Sequence, residues 1–123
     1  MHVIAVASQK GGSGKTTLAG HIAVQADLAG AGPVAVVDTD PQGSLADWWN
    51  ERTAATPVLM RTSVSNLPAD LKLLREHDIK LVVIDTPPAI TNTIEEVISV
   101  SDLVVVPTRP SPHDLRAVGA SVD

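Results

Sequence analysis

The stretch Lys10-Gly-Gly-Ser-Gly-Lys-Thr-Thr17 constrains this chain more than any other part of it. It follows His2-Val-Ile-Ala-Val-Ala-Ser8, a run of small and β-branched residues that reads as a strand. It leads into a segment from about Lys15 to Ala29, where Leu18, Ile22, Ala26 and Ala29 recur at the spacing of one helical face. A glycine-rich loop between a strand and a helix makes a phosphate cradle. Its glycines let successive backbone N–H groups turn inward, and the helix N-terminus adds partial positive charge. The full pattern for such a loop is G-x-x-x-x-G-K-[ST]. Gly14-Lys15-Thr16 match its end, whereas Gln9 stands where the first glycine would fall. In this setting Lys15 is expected to reach the β- and γ-phosphates, with the Thr16 hydroxyl as a Mg²⁺ ligand. A merely flexible Gly/Ser/Lys turn is the alternative, and the flanking strand and helix argue against it.

The rest of the chain repeats the alternation of short apolar runs with helical stretches that marks parallel βαβ units. Pro33-Val-Ala-Val-Val-Asp38 and Lys80-Leu-Val-Val-Ile-Asp85 are apolar until a final acid, the pattern of strands covered on both faces. Gly30 and Gly32-Pro33 stop the first helix. A short helix is expected over Ser44–Arg52, a minor strand over Val58–Arg61, and a helix around Pro68–His77. Further helix and strand signals follow at Thr91–Val100 and Leu103–Pro107. The predicted fold is α/β, a doubly wound and mostly parallel sheet in one P-loop domain over residues 1–123, with no linker or repeat. Ser111-Pro-His-Asp114 has the form of a capping box opening another helix, and the chain stops there. A doubly wound sheet does not normally finish on a helix just begun. The expectation is therefore an N-terminal portion of a longer domain, lacking its last strands and helices.

Three polar strand ends would then share one edge of the sheet, where ligands bind in such folds. Asp85, closing a buried strand beside a phosphate loop, is a candidate Mg²⁺ holder. On its own an Asp at a strand end is as readily a turn or cap residue. Pro87 and Pro88 stiffen the segment that follows it. In Asp38-Thr-Asp-Pro-Gln42 the two acids alternate along the chain and so cannot do the same job. One would support the metal shell, and the other would orient a water.

Composition narrows the function. The formal net charge is -5, and no basic cluster is visible, so DNA contact would need regions outside this chain or an assembled surface. The absence of cysteine excludes disulfides, thiolate metal sites and iron–sulfur ligation, and fits a cytoplasmic setting. No apolar run approaches the ~20 residues of a membrane span. Trp48 and Trp49 are the only aromatic residues. Adjacent on a helix, they point about 100° apart, so one is expected in the core and the other at a dimer or partner surface. His113 reads as a bystander.

Taken in order, Lys10-Gly-Gly-Ser-Gly-Lys-Thr-Thr17, Asp38-Thr-Asp-Pro-Gln42 and Val83-Ile-Asp-Thr-Pro-Pro88 resemble the deviant Walker A, A′ and B motifs of the ParA/Soj/MinD ATPases. The resemblance covers essentially the whole chain and is closest to the short, ParF-like plasmid-partition type. Trp48 after the A′ motif, Ser101-Asp-Leu-Val-Val-Val-Pro107 and Pro110-Ser-Pro-His-Asp114 support it. It implies a nucleotide-switched homodimer that hydrolyses ATP to ADP and phosphate with Mg²⁺. Gly11, Gly12, Ser13, Gly14, Lys15, Thr16 and Thr17 would wrap the phosphates, and Pro110 would lie near the adenine. Lys10 would act in trans on the partner's phosphates, Lys15 would be the Walker lysine, and Asp40 would position the attacking water. Thr16 would ligate the metal, with Asp38 and Asp85 acting through its water shell.

The function implied is a DNA-segregation ATPase, cytoplasmic or nucleoid-associated, stimulated by a centromere-binding adaptor protein. A MinD-like positioning switch is one alternative, although it needs a C-terminal amphipathic helix for its membrane. A metabolic ATPase of the same superfamily is another, and a decoy subunit with an incomplete adenine pocket is a third. Missing cysteines exclude nitrogenase-type iron proteins, and missing tyrosines exclude the tyrosine-kinase relatives.

Overall fold

A computed structural model describes residues 1–7, 13–41, 43–52, 57–87 and 91–106, with backbone alone at 13–16, 44 and 91–94. Its strands are β1 (His2–Val6), β2 (Val34–Asp38), β3 (Val58–Arg61), β4 (Leu81–Asp85) and β5 (Leu103–Val105). The helices are α1 (Ser13–Leu28), α2 (Ser44–Asn50), α3 (Leu67–Glu76) and α4 (Thr91–Val100), with a 3-10 turn at Val64–Asn66 before α3. All strand pairs are parallel, and the spatial order is β3-β2-β4-β1-β5. Consecutive strands β1 and β2 are thus separated by β4, which α1 must cross.

Side chains of a strand alternate between the two faces of its sheet, and here both faces are apolar. Val34 and Val36 of β2, Leu81 and Val83 of β4, and Val6 of β1 pack with α1 and α2 through Ala19, Ala23 and Leu45. The intervening residues Ala35, Val37, Val82, Ile84, Val3 and Ala5 pack on the other face with Leu67, Leu71 and Leu74 of α3 and Val97 of α4. This two-sided burial is why β2 and β4 are nearly unbroken runs of aliphatic residues. The edge strand β5 leaves Leu103 exposed.

Small residues set how closely α1 approaches the sheet. Ala19 and Ala23 are fully buried, and Gly20 sits beneath the indole of Trp48, whose ring atoms lie 2.9–3.2 Å from where a Cβ would stand. Trp49 is also half-buried and donates from Nε1 to the carbonyl of Pro57 at 2.6 Å. Both tryptophans pack against the α1-side core while staying partly exposed, so neither is a fully buried core residue. Helix α3 ends through Asp78 in the left-handed region (φ 62°), with the N–H of Ile79 bonded back to Leu74. The proposed helix opening at Ser111 lies outside the described residues.

Candidate functional site

The alternation that places the valines also places the acids. Asp38 follows Val34 and Val36 on the α1 face of β2, and Asp85 follows Leu81 and Val83 on the α1 face of β4. The two are register partners on neighbouring strands, so their backbones lie roughly 4.8 Å apart. Their exposures are 1% and 0%. Val6, the last residue of β1, is the register partner of Asp85 on the other side. Helix α1 begins at Ser13, seven residues beyond Val6. Gly14, Lys15 and Thr16 lie in the first turn of α1, which carries no acidic residue. The N-terminus of this 16-residue helix thus brings unopposed positive potential to the edge that holds the two acids.

Two threonines fix the geometry of that edge. Thr39 donates both its backbone N–H (2.9 Å) and its hydroxyl (2.8 Å) to the carbonyl of Asp85. Thr86 does the same to the carbonyl of Val6, at 3.3 Å and 2.9 Å. Each follows the acid that ends its strand, and each is buried. The ends of β2, β4 and β1 are thereby joined beyond the regular ladder.

Asp38 has a further set of contacts. Its Oδ1 accepts the backbone N–H of Asp40 at 3.1 Å, and its Oδ2 accepts that of Ala46, in the first turn of α2, at 3.0 Å. Asp40 is itself 5% exposed, and its carbonyl accepts the N–H of Gly43 at 3.0 Å. Gly43 needs the left-handed conformation (φ 69°) to enter α2. The guanidinium of Arg61, at the end of β3, lies over it.

The structure therefore gathers Asp38, Asp40, Asp85 and the first turn of α1, with Ser13 to Thr17, at one edge of the sheet. Thr17 is exposed. Lys10, Gly11, Gly12 and Pro110 lie outside the described residues. Sequence reasoning missed Thr39, Thr86, Gly20 and Gly43. The repeated Asp-Thr pair at two strand ends was the available signal for the threonines.

A five-stranded parallel sheet with helices on both faces, and two strand-end acids at the edge where the helix after a glycine-rich sequence begins, define a doubly wound α/β protein of the P-loop type. Residues 4–116 match the CobQ/CobB/MinD/ParA nucleotide binding domain, and the chain belongs to this family. It is 45% identical over 118 residues to maintenance of carboxysome distribution protein A of Gloeobacter kilaueensis, covering 94% of this chain and 53% of that protein. It is 31% identical over 145 residues to the chromosome-partitioning ATPase Soj of Thermus thermophilus, covering 94% of this chain and 57% of that one. Among solved structures, a Cyanothece McdA variant in complex with ATP superposes with a TM-score of 0.71 at 22% identity, over 99% of this chain and 62% of its own. The chain spans about half the length of the curated relatives it matches.

Proposed function

We propose that this chain is the phosphate-binding part of a nucleotide-switched positioning ATPase, which binds ATP with Mg²⁺, dimerises and hydrolyses ATP slowly to move or segregate a cargo. The observation that carries the reading is the meeting of Asp85, Asp38 and the acid-free first turn of α1 at one edge of the sheet. The donor set fits Mg²⁺. Mg²⁺ characteristically takes one or two protein oxygens and completes its shell with water and phosphate, a shell that Thr16 would enter directly and Asp85 would reach through water.

The residues divide the work. Backbone amides from Gly11 to Thr17 cradle the phosphates, and Lys15 neutralises the β- and γ-oxygens. Thr16 would ligate the cation and Asp85 would act through its water shell, and the cation when bound offsets charge on the phosphoryl group. Asp40 orients the attacking water. Lys10 completes the partner's site in a dimer, supplying in trans the charge that an arginine finger supplies elsewhere. The similarity to Soj, named a chromosome-partitioning ATPase, and to a McdA protein solved with ATP supports the reading that this chain uses ATP. Lys15→Ala should lower ATP affinity at least a hundredfold in calorimetry, and unchanged binding would remove the phosphate-loop assignment.

DNA segregation, with a centromere-bound adaptor stimulating hydrolysis, is the cargo reading that the resemblance to partition ATPases implies. The 45% identity to a carboxysome distribution protein favours a second, in which the cargo is a protein compartment. Deleting the gene separates them. Segregation predicts loss of the replicon that carries it, whereas compartment positioning predicts clustered compartments with the replicon retained. Among the described residues no helix is long and apolar enough to cross a membrane.

A further inference from the structure

Both carboxylate oxygens of Asp38 are engaged by backbone amides, one on each side of the same turn. The bond from Oδ1 to the N–H two residues on is an Asx turn, which bends the chain as it leaves β2. The bond from Oδ2 reaches the third residue of α2, the amide that an N-cap side chain ordinarily satisfies. Helix α2 has no such cap of its own, because its N-cap residue is Gly43, with no side-chain hydrogen bond. Asp38 thus does from a distance what the local sequence leaves undone, and in doing so holds both ends of the turn that carries Asp40.

The far side of α2 is anchored as well. Leu45 and Ala46 are buried, Trp48 fills the niche above Gly20 of α1, and the Arg52 guanidinium lies 5.0 Å from the Trp48 ring centre. A continuous path of contacts therefore runs from the Asp40 backbone through Asp38 and α2 to the helix that begins at the phosphate loop. Orienting a water for attack demands placement within ~0.5 Å, and Asp40 is held at both its N–H and its carbonyl.

We propose that Asp38 is a positioning residue, which fixes the Asp40 backbone to the first turn of α2, and that it is not a member of the metal's shell. This inference rests on the ATP reading above. Asp38→Ala removes both acceptors, whereas Asp38→Asn keeps the shape and replaces one acceptor with a donor, so the Asn variant is the more informative.

The test compares the native chain with Asp38→Asn by amide hydrogen exchange, by calorimetry of ATP binding across a Mg²⁺ titration, and by phosphate release. Expected are exchange at least tenfold faster at Asp40 or Ala46, and ATP affinity within threefold of native. The Mg²⁺ concentration for half-saturation should stay within twofold, and turnover should fall at least tenfold. Combining the substitution with Asp40→Ala should slow turnover no further than Asp40→Ala alone, because both act on one group.

A tenfold rise in the Mg²⁺ requirement would place Asp38 in the metal shell and overturn the inference. Native exchange rates at both amides, or multiplicative loss in the double variant, would also overturn it. Failure of the native chain itself to bind ATP would instead overturn the nucleotide reading on which the inference depends.

Discussion

Thr39 gives two hydrogen bonds to a single acceptor, the main-chain carbonyl of Asp85, one from its N–H at 2.9 Å and one from its hydroxyl at 2.8 Å. Thr86 treats Val6 in the same manner. Each threonine follows a strand-ending acid, and at Thr39 the stitch that closes the strand end immediately precedes a second acid, Asp40. The sequence Asp-Thr, twice used, is a device for holding three parallel strand tips level.

Thr39→Val and Thr86→Val each keep the shape of the side chain and delete its hydroxyl. The carbonyl opposite retains its backbone donor, so the cost falls at the low end for a buried hydrogen bond, about 1 kcal/mol each. Urea unfolding monitored by circular dichroism measures it, and a neutral result at both positions would show that the backbone bonds suffice.

Gly20→Ala brings a methyl group into the Trp48 ring. Alanine favours a helix interior over glycine by about 1 kcal/mol, but overpacking a filled niche costs about 1–3 kcal/mol, so net destabilisation is expected. In a Trp48→Leu background the same change should turn neutral or stabilising. Denaturant midpoints for the four proteins of that cycle give the sign directly.

Gly43→Ala forces a Cβ into a left-handed backbone, costing about 1–2 kcal/mol. The Arg61 guanidinium that the methyl group would meet is the end of a flexible side chain, so the backbone term dominates. Asn at this position should recover part of the loss because it tolerates that conformation. Thermal melts of the Ala and Asn variants test the ranking.

Lys10→Ala should leave ATP binding by the monomer within threefold of native while abolishing ATP-dependent dimerisation and turnover. Light scattering with and without ATP reads the first property, and phosphate release the second. A variant that still dimerises and turns over would remove the trans role.

How far these features could be read beforehand depends on whether they are local. The burial of β2 was legible because Val34 to Val37 offers no polar residue to either face, and only a strand covered on both sides tolerates that. Asp38 and Asp85 were legible as strand ends for the same reason. The work of Thr39 and Thr86 was not, because their acceptors lie 46 and 80 residues away and depend on a strand order that no local pattern encodes. Gly20 looks like a weak point in a helix until Trp48 is placed above it. The tryptophans were expected to divide between core and surface, but α2 lies between α1 and β3, and Trp49 reaches the Pro57 carbonyl just before β3. Faces about 100° apart can both be partly covered in such a cleft.

With no phenylalanine or tyrosine in the chain, all of its aromatic near-ultraviolet absorption and emission arises from Trp48 and Trp49, within one helix of seven residues. One indole rests on α1 beside a guanidinium, and the other donates to the segment entering β3. The protein thus carries an unlabelled optical probe confined to the joint between its Asp38 turn and its first helix, and any rearrangement there alters the colour or intensity of its fluorescence without background from the rest of the fold.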